Sequence, residues 1–278
     1  ALNNINVPVL SSSGAKKGFY LKERAFEPAE IKLLIDAVNS AGFITPKKTA
    51  DLTEKLKNLL SVNQANELTS QVYCEVANKC NNEEIYHTIN MLDVAIKNCE
   101  KVKFQYRTRK IDKEKKKSYT VKTFVVSPYG LVWKNDNYYL ICNKESHDNL
   151  MSMRLDRIRN IIVLQIPSRP VWECCDYKDG FDIADYTSKM FNMFGGDVMP
   201  VTFVCNLDLR EQILDRFGEK IKLDGVDVNH FRTTVDVAVS DGLVSWIMQF
   251  GDQIKVEEPR RLVELIKEKT EKIANLYS

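Results

Sequence analysis

The sequence predicts an α+β protein of several units, and three features of the chain point to this class. Apolar residues recur at helical spacing in three stretches between residues 26 and 98. Short runs rich in strand-favouring residues follow between residues 102 and 165. From residue 200 onward, strand-like and helix-like runs alternate, as they do in a compact α+β unit. A chain of 278 residues is long enough for two or three such units.

Composition and charge restrict the class of protein. The hydrophobic fraction of 44% and the charged fraction of 28% are those of an ordinary globular protein. No apolar run approaches the ~20 residues that a membrane span needs, and we expect no secretory leader. Seven cysteines without the tight spacing of a disulfide scaffold indicate the reducing cytoplasm. The net charge of +2 is unevenly spread: residues 101–122 hold ten Lys or Arg against two acids, and residues 172–197 hold six acids against two Lys.

Three helices are predicted between residues 26 and 99. They run over Phe26–Ala41, Lys48–Leu60 and Glu83–Asn98, each with apolar residues at helical spacing. Pro28 lies in the first turn of the first helix, and Gly42 ends it. The plain interpretation is a helical linker that packs on itself. A second interpretation adds a dimer contact between two copies of this region.

A β unit is predicted over residues 100–168. Its strand segments are Val102–Arg107, Tyr119–Val126, Gly130–Trp133, Asn137–Asn143, Met151–Leu155 and Asn160–Gln165. The polar triplet Lys134-Asn135-Asp136 suits a tight hairpin turn. About five or six strands of this length suit a small, strongly bent barrel of the SH3 or Sm-like kind.

The rest of the chain is predicted to be a crossover followed by an α+β unit. Residues 169–199 are less regular and are expected to cross between units. Residues 200–278 then alternate between strand and helix, with the predicted order Pro200–Cys205 (strand), Asp208–Phe217 (helix), Arg232–Ser240 (strand), Asp241–Phe250 (helix), Gln253–Val256 (strand) and Pro259–Tyr277 (helix).

Three motifs in the middle of the chain resemble those of the WYL domain of bacterial transcriptional regulators. They are, in order, Pro128, Gly130 and Leu131, then Tyr138, Tyr139 and Leu140, then Arg154, Asp156, Arg157 and Ile158. Tyr138 stands where the family usually has Trp, and Ser152 stands where many relatives carry His. The resemblance implies an Sm-like barrel. More loosely, four residues resemble the C-terminal extension that follows many WYL domains: Trp246, Phe250, Gly251 and Pro259.

The resemblance also gives a meaning to the first residues of the chain. Two short strands, Ile5–Leu10 and Gly18–Leu21, are predicted to form a hairpin across a loop of Ser, Gly and Lys. By itself this is an ordinary surface hairpin. Before a WYL motif it is interpreted as the wing of a winged helix-turn-helix, with residues 1–25 as its remnant. No helix with the spacing of a DNA reader precedes it, so we expect most of the DNA-binding head to lie outside this chain.

The candidate ligand-binding residues are cationic and aromatic side chains of the β unit, together with one hydroxyl. They are Arg154, Arg157, Tyr138, Tyr139, Trp133, Tyr106, Lys103, Arg107 and Ser152. Guanidinium groups hold phosphate or carboxylate at two points, and aromatic rings stack on bases. Arg154 and Arg157 have a structural alternative, pairing with Asp156 or with backbone carbonyls. Strand alternation sends Tyr138 and Tyr139 to opposite faces, so at most one of them lines a given pocket.

Catalytic motifs are not found in the sequence. The three His residues, at positions 87, 147 and 230, are far apart and have no metal-ligand spacing. The sequence has neither a Gly-rich phosphate loop nor a Gly-x-Ser-x-Gly elbow. We therefore expect no enzymatic activity, no metal and no other cofactor.

The function implied by the resemblance is that of a ligand-sensing regulatory part of a WYL-family transcription factor. It implies an anionic effector, either a nucleotide or a short single-stranded nucleic acid. It also implies a homodimer that contacts double-stranded DNA through an N-terminal winged helix. An alternative is an accessory module that binds nucleic acid or a partner protein without reading DNA sequence. A nucleotide-processing enzyme is a third possibility, and it would require a catalytic set that the sequence does not show.

Overall fold

A computed structural model describes residues 9–12, 18–21, 25–68, 79–111, 117–175, 177 and 180–278. The chain divides into two compact units, residues 1–83 and 84–278. Of the predicted strand Ile5–Leu10, only the last two residues fall within the described part. The loop between the first two strands lies outside it, as do residues 112–116 of the basic region.

The described part of the first unit contains a hairpin and three helices. Strands β1 (Val9–Ser12) and β2 (Gly18–Leu21) pair antiparallel. Helices α1 (Pro28–Ser40), α2 (Pro46–Lys57) and α3 (Val62–Glu67) follow. The two longer helices confirm the prediction to within a few residues, whereas α3 was not predicted.

Capping and a small apolar core hold these helices. The Glu30 carboxylate accepts a hydrogen bond from the backbone N–H of Glu27 at 2.8 Å, so the first turn of α1 is capped. The Thr45 hydroxyl accepts from the backbone N–H of Lys48 at 3.2 Å and caps α2. Three buried residues form the core of this unit: Ile31, Ile35 and Leu60.

The second unit begins with helix α4 (Ile85–Lys97) and a five-stranded antiparallel sheet. Its strands are β3 (Glu100–Ile111), β4 (Lys117–Lys134), β5 (Asn137–Asn143), β6 (Met151–Arg154) and β7 (Ile158–Pro167), in the spatial order β6-β5-β4-β3-β7. A 3₁₀ turn, Leu155–Arg157, joins β6 to β7. Buried apolar residues of the sheet pack under α4, among them Val102, Phe104, Leu140 and Ile158.

The predicted closed barrel is not what the structure shows. Among the described residues, β6 and β7 are the two edges of the sheet and do not pair, so the sheet is open. The physical reason is the 3₁₀ turn at Leu155–Arg157, which carries the chain away from β6, so that β7 pairs with β3 instead. The prediction of a mixed α+β fold with antiparallel strands is confirmed.

Strand β4 is one long element where the sequence predicted two. It runs continuously through the predicted strands Tyr119–Val126 and Gly130–Trp133, with a register shift between Pro128 and Gly130. Proline has no backbone N–H to donate to the ladder, so the pairing is irregular there without ending the strand. The predicted turn after β4 is confirmed. Asn135 and Asp136 have φ values of 50° and 55°, the left-handed conformation that a two-residue hairpin requires.

The crossover and a second sheet complete this unit. The crossover contains a short helix, α5 (Ile183–Ser188), that was not predicted. The elements after it are β8 (Asp197–Asn206), α6 (Arg210–Phe217), β9 (Asp224–Gly225), β10 (His230–Val239), α7 (Asp241–Met248), β11 (Ile254–Glu258) and α8 (Arg260–Tyr277). The sheet has the antiparallel order β11-β8-β10-β9. One face packs its buried residues, such as Val201, Phe203 and Phe231, with Ile213 of α6 and Leu243 of α7.

All six predicted elements of this last part are confirmed in kind and order. Each helix of the described ranges is too short or too polar to cross a lipid bilayer.

Candidate functional site

The nine candidate residues do not lie on one surface. In β5 and β6 the register pairs Tyr139 with Arg154 and Ile141 with Ser152, so Tyr139, Arg154 and Ser152 share one face. Trp133 pairs with Tyr138 on the opposite face of the same hairpin. The prediction that Tyr138 and Tyr139 point to opposite faces therefore agrees with the observed register.

The Tyr106 hydroxyl lies next to the backbone of Arg154. Its Oη accepts a hydrogen bond from the backbone N–H of Arg154 at 3.3 Å. Lys103 and Arg107 alternate with Tyr106 along β3, and both are exposed. They therefore lie on the other face of β3, away from the tyrosine.

The guanidinium of Arg154 is already engaged by a carboxylate. Its Nε donates to Asp156 Oδ1 at 3.0 Å, and its Nη2 donates to Asp156 Oδ2 at 2.9 Å. The two side chains are 32% and 26% exposed. These hydrogen bonds are the main reason why the pKa of Arg154 is raised. The structural role that the sequence left open for Arg154, a pair with Asp156, is thus present.

Arg157 is the cation of the site that remains available. It lies at the end of the 3₁₀ turn and is partly buried. No hydrogen bond or ion pair joins its guanidinium to a residue within the described part of the chain. Its positive charge favours a lower pKa for the Tyr139 phenol, although the larger effect of burial raises that pKa.

Tyr139 and Ser152 supply neutral polar groups on the same face. Burial is the main cause of the raised pKa of Tyr139, and the charges of Arg154 and Arg157 oppose it. The phenol therefore stays protonated at neutral pH and can donate a hydrogen bond. The Ser152 hydroxyl is buried and has no hydrogen-bond partner among the described residues, so it has an unused donor and acceptor.

The crossover segment covers this face of the β5–β6 hairpin, which the sequence did not predict. Residues 171–193 bring Cys174, Met190 and Met193 onto Ile141 and Leu150, with Tyr139 packed at the margin. Four aromatic rings pack against one another at this contact: Tyr129, Tyr177, Phe181 and Tyr186. Recurring apolar and aromatic residues between positions 171 and 193 were the signal available in the sequence.

Hydrogen bonds also fasten the start of the crossover. The Tyr129 hydroxyl donates to the backbone carbonyl of Arg169 at 2.8 Å, and the backbone N–H of Arg169 donates to Ser127 Oγ at 2.9 Å. Burial, with Cys174 beside the hydroxyl, raises the pKa of Tyr129 well above its usual value. Tyr129 therefore remains a neutral donor over the physiological pH range.

The end of the crossover lies between two cations, one from strand β4 and one from helix α6. Lys134 Nζ, at the tip of β4, donates to the carbonyls of Thr187 at 2.6 Å and Met190 at 3.3 Å. Arg216 Nη2, on α6, donates to the carbonyls of Ser188 at 3.2 Å and Met190 at 3.0 Å. Burial lowers the pKa of both groups. One carbonyl, that of Met190, thus links the first sheet to a helix of the second.

Gly130 of β4 lies directly against the Ile183 side chain of α5. A Cβ on Gly130 would lie 2.1 Å from Ile183 Cδ1. We expect Gly130→Ala to destabilise the protein by about 1 kcal/mol, because the end of the Ile183 side chain must move. Ile183→Val removes that Cδ1 atom, so the double variant should be more stable than Gly130→Ala alone. Urea unfolding of the parent, both single variants and the double variant measures this coupling, and strict additivity would contradict the contact.

Two segments of the chain match known domain families. Residues 87–163 match the WYL domain, and residues 197–274 match the WCX domain. The first match contains the Arg154–Arg157 site, and the second contains the four-stranded sheet. The chain therefore carries a WYL domain followed by a WCX domain, and this pair supports a regulator of the WYL family.

Among solved structures, the chain is similar to Proteasome accessory factor B/C (PafBC) of Arthrobacter aurescens. The sequence identity is 18% and the TM-score is 0.32. The similarity covers 95% of this chain and 38% of that chain, so this chain spans less than half of that protein. The comparison with curated proteins gives no match.

Proposed function

We propose that this chain is the ligand-sensing part of a WYL-family transcriptional regulator. Its effector is an anion, a nucleotide or a short single-stranded nucleic acid, bound at Arg157 and Arg154 beside Tyr139 and Ser152. Effector binding controls a DNA-binding winged helix at the N-terminal side, in a homodimer. The WYL and WCX matches support the regulatory class, and the geometry of the site supports the charge of the effector.

The observation that carries the proposal is that the guanidinium of Arg157 has no hydrogen-bond or ion-pair partner among the described residues. A partly buried cation without a partner has lost part of its hydration and gained nothing in exchange. A phosphate or carboxylate at this position supplies the missing acceptors, and a guanidinium can hold it at two points. The neighbouring Tyr139 hydroxyl and Ser152 hydroxyl add neutral hydrogen-bonding groups on the same face.

Asp156 acts as an internal competitor in this proposal. Its carboxylate holds Arg154 with the geometry that a bound phosphate would adopt. An effector therefore either binds Arg157 alone or exchanges with Asp156 for Arg154. The exchange limits affinity, because the aspartate must leave a good partner and be rehydrated.

The crossover segment supplies the route by which binding changes the rest of the second unit. It packs against Tyr139 at one end. At its other end, the Met190 carbonyl accepts from Lys134 and Arg216. An effector shifts the equilibrium only if it binds one arrangement of this segment better than the other.

The direct test is the substitution Arg157→Gln. We expect it to weaken binding of the proven effector by at least about tenfold, the loss of one charge-assisted contact, with little change in thermal stability because Arg157 has no internal partner. Calorimetric titration with AMP, ATP and a six-nucleotide DNA strand provides the affinities. Arg210→Gln, an exposed arginine of the WCX domain, is the matched control. Equal affinities for parent and Arg157→Gln would refute the site.

The reverse change, Asp156→Asn, releases Arg154 from its carboxylate. It should raise affinity for the same anions several-fold and should do so only while Arg157 is intact. Arg154→Ala is less informative, since it also leaves the Asp156 carboxylate partly buried without its main partner.

A further inference from the structure

Strands β3 and β4 extend beyond the sheet as a two-stranded ribbon. Pairing of β3 with β7 ends at Tyr106, and pairing of β4 with β5 begins only at Ser127. Residues 107–111 and 117–121 are paired with each other, from Arg107 with Val121 to Ile111 with Lys117. Within the described residues they have no other strand neighbour. We call these two segments the β-arm.

The β-arm is basic and exposed on both faces. Arg107, Arg109 and Lys110 are all exposed, as is the adjoining Lys122. None of these four side chains makes an ion pair with a described residue, although cations elsewhere do, such as Lys101 with Glu145 at 3.0 Å. Their charge is therefore not used by the described part of the fold.

Positive charge is concentrated in this part of the chain. Residues 101–122 hold ten Lys or Arg against two acids, whereas the other 256 residues hold 30 Lys or Arg against 36 Asp or Glu. Lysines that served only solubility would be spread over the surface. A single basic projection on an otherwise acidic chain indicates a polyanionic partner.

One face of the arm combines arginine with exposed apolar side chains. Arg109 pairs directly with Tyr119, and Arg107 pairs with Val121. Tyr119 is 54% exposed and Val121 is 48% exposed. The same face continues along β3 to Lys103.

We propose that the β-arm binds double-stranded DNA through its phosphates. A two-stranded antiparallel ribbon is narrow enough to enter the major groove, which is about 12 Å wide. Arg107 and Arg109 are about 7 Å apart along the strand, so they can contact neighbouring phosphates while Lys110 projects from the other face. The contact is independent of the effector site and adds a DNA-binding surface to the regulatory part of the chain.

The test compares two triple variants with the same change in net charge. The first is Arg107→Gln/Arg109→Gln/Lys110→Gln in the arm. The control is Arg210→Gln/Lys220→Gln/Lys267→Gln, all exposed residues outside the arm. Fluorescence anisotropy with a 30-base-pair duplex of arbitrary sequence, and with one of its strands alone, is measured between about 50 and about 200 mM salt.

We expect the arm variant to lose at least about tenfold in duplex affinity at 50 mM salt. The slope of log K against log salt should become shallower by about two to three, since each phosphate contact contributes about 0.9. The control should stay within about twofold of the parent. Equal losses in both triple variants would overturn the proposal, because only net charge would then matter. A loss confined to the single strand, or no duplex binding by the parent, would overturn it as well.

The same variants separate this proposal from the effector site. The arm variant should bind effector as the parent does, and Arg157→Gln should bind duplex as the parent does. Either proposal can therefore fail while the other stands.

Discussion

Trp246→Ala is expected to lower the free energy of unfolding by about 3–5 kcal/mol. The Trp246 ring has four aromatic neighbours, with centroid distances of 5.0 Å to Phe191, 5.1 Å to Phe250, 5.5 Å to Phe217 and 6.1 Å to Phe203. These rings come from the crossover, from β8 and from the ends of α6 and α7. Removing the indole opens a cavity that so many rigid rings cannot fill by small movements.

Trp172→Ala is the matched control for this prediction. Trp172 is 61% exposed, so its replacement should change stability by less than about 1 kcal/mol. Guanidinium chloride unfolding followed by far-UV circular dichroism gives both values without relying on tryptophan fluorescence. Similar losses in the two variants would contradict the packing of Trp246 against the core of the second sheet.

Gly242→Ala should be the second most destabilising change, at about 1–3 kcal/mol or more. A Cβ on Gly242 would lie 2.4 Å from the carbonyl oxygen of Phe191 and 3.1 Å from a ring carbon of Phe194. That carbonyl oxygen also accepts a hydrogen bond from the backbone N–H of Phe194 at 3.0 Å. Backbone atoms held in this way cannot rotate aside, so α7 must move away from the crossover.

Gly225→Ala tests whether glycine replacement itself is costly in this sheet. A Cβ on Gly225 meets nothing within 4 Å, so we expect a change within about 0.5 kcal/mol. Thermal unfolding of both variants measures the difference. If Gly242→Ala is as mild as Gly225→Ala, α7 and the crossover are not in the close contact that the structure shows.

Both predictions concern the crossover, and this bears on the proposed mechanism. Phe191 packs against Trp246 and approaches Gly242, whereas Met190 receives hydrogen bonds from Lys134 and Arg216. A displacement of this segment by an effector would therefore disturb packing in the WCX core. Variants that loosen the crossover should change effector affinity as well as stability, because binding and the position of the segment are linked.

Much of the fold was predictable because its signals are local. Helix α1 is bounded by Pro28 and by the residues before Gly42, and the β4–β5 turn has Asn and Asp at its two left-handed positions. Period-two alternation in β3 correctly separated the buried Val102 and Phe104 from the exposed Lys103 and Arg107. Elements without such local signals were missed: α5 is six residues long, and β9 has two.

The sequence by itself determined the order of most strands and helices, the faces on which Tyr138 and Tyr139 lie, and the grouping of Arg154 and Arg157 at the end of β6. Only the tertiary structure decided that Arg154 is held by Asp156 while Arg157 is left without a partner. It also decided that the sheet is open, that residues 171–193 cover one side of it and that the β-arm projects from it. Alternation and spacing act between neighbours in the chain. Ion pairing, closure of the sheet and coverage of its face depend instead on distances between groups that are far apart in the sequence or that a single turn can redirect.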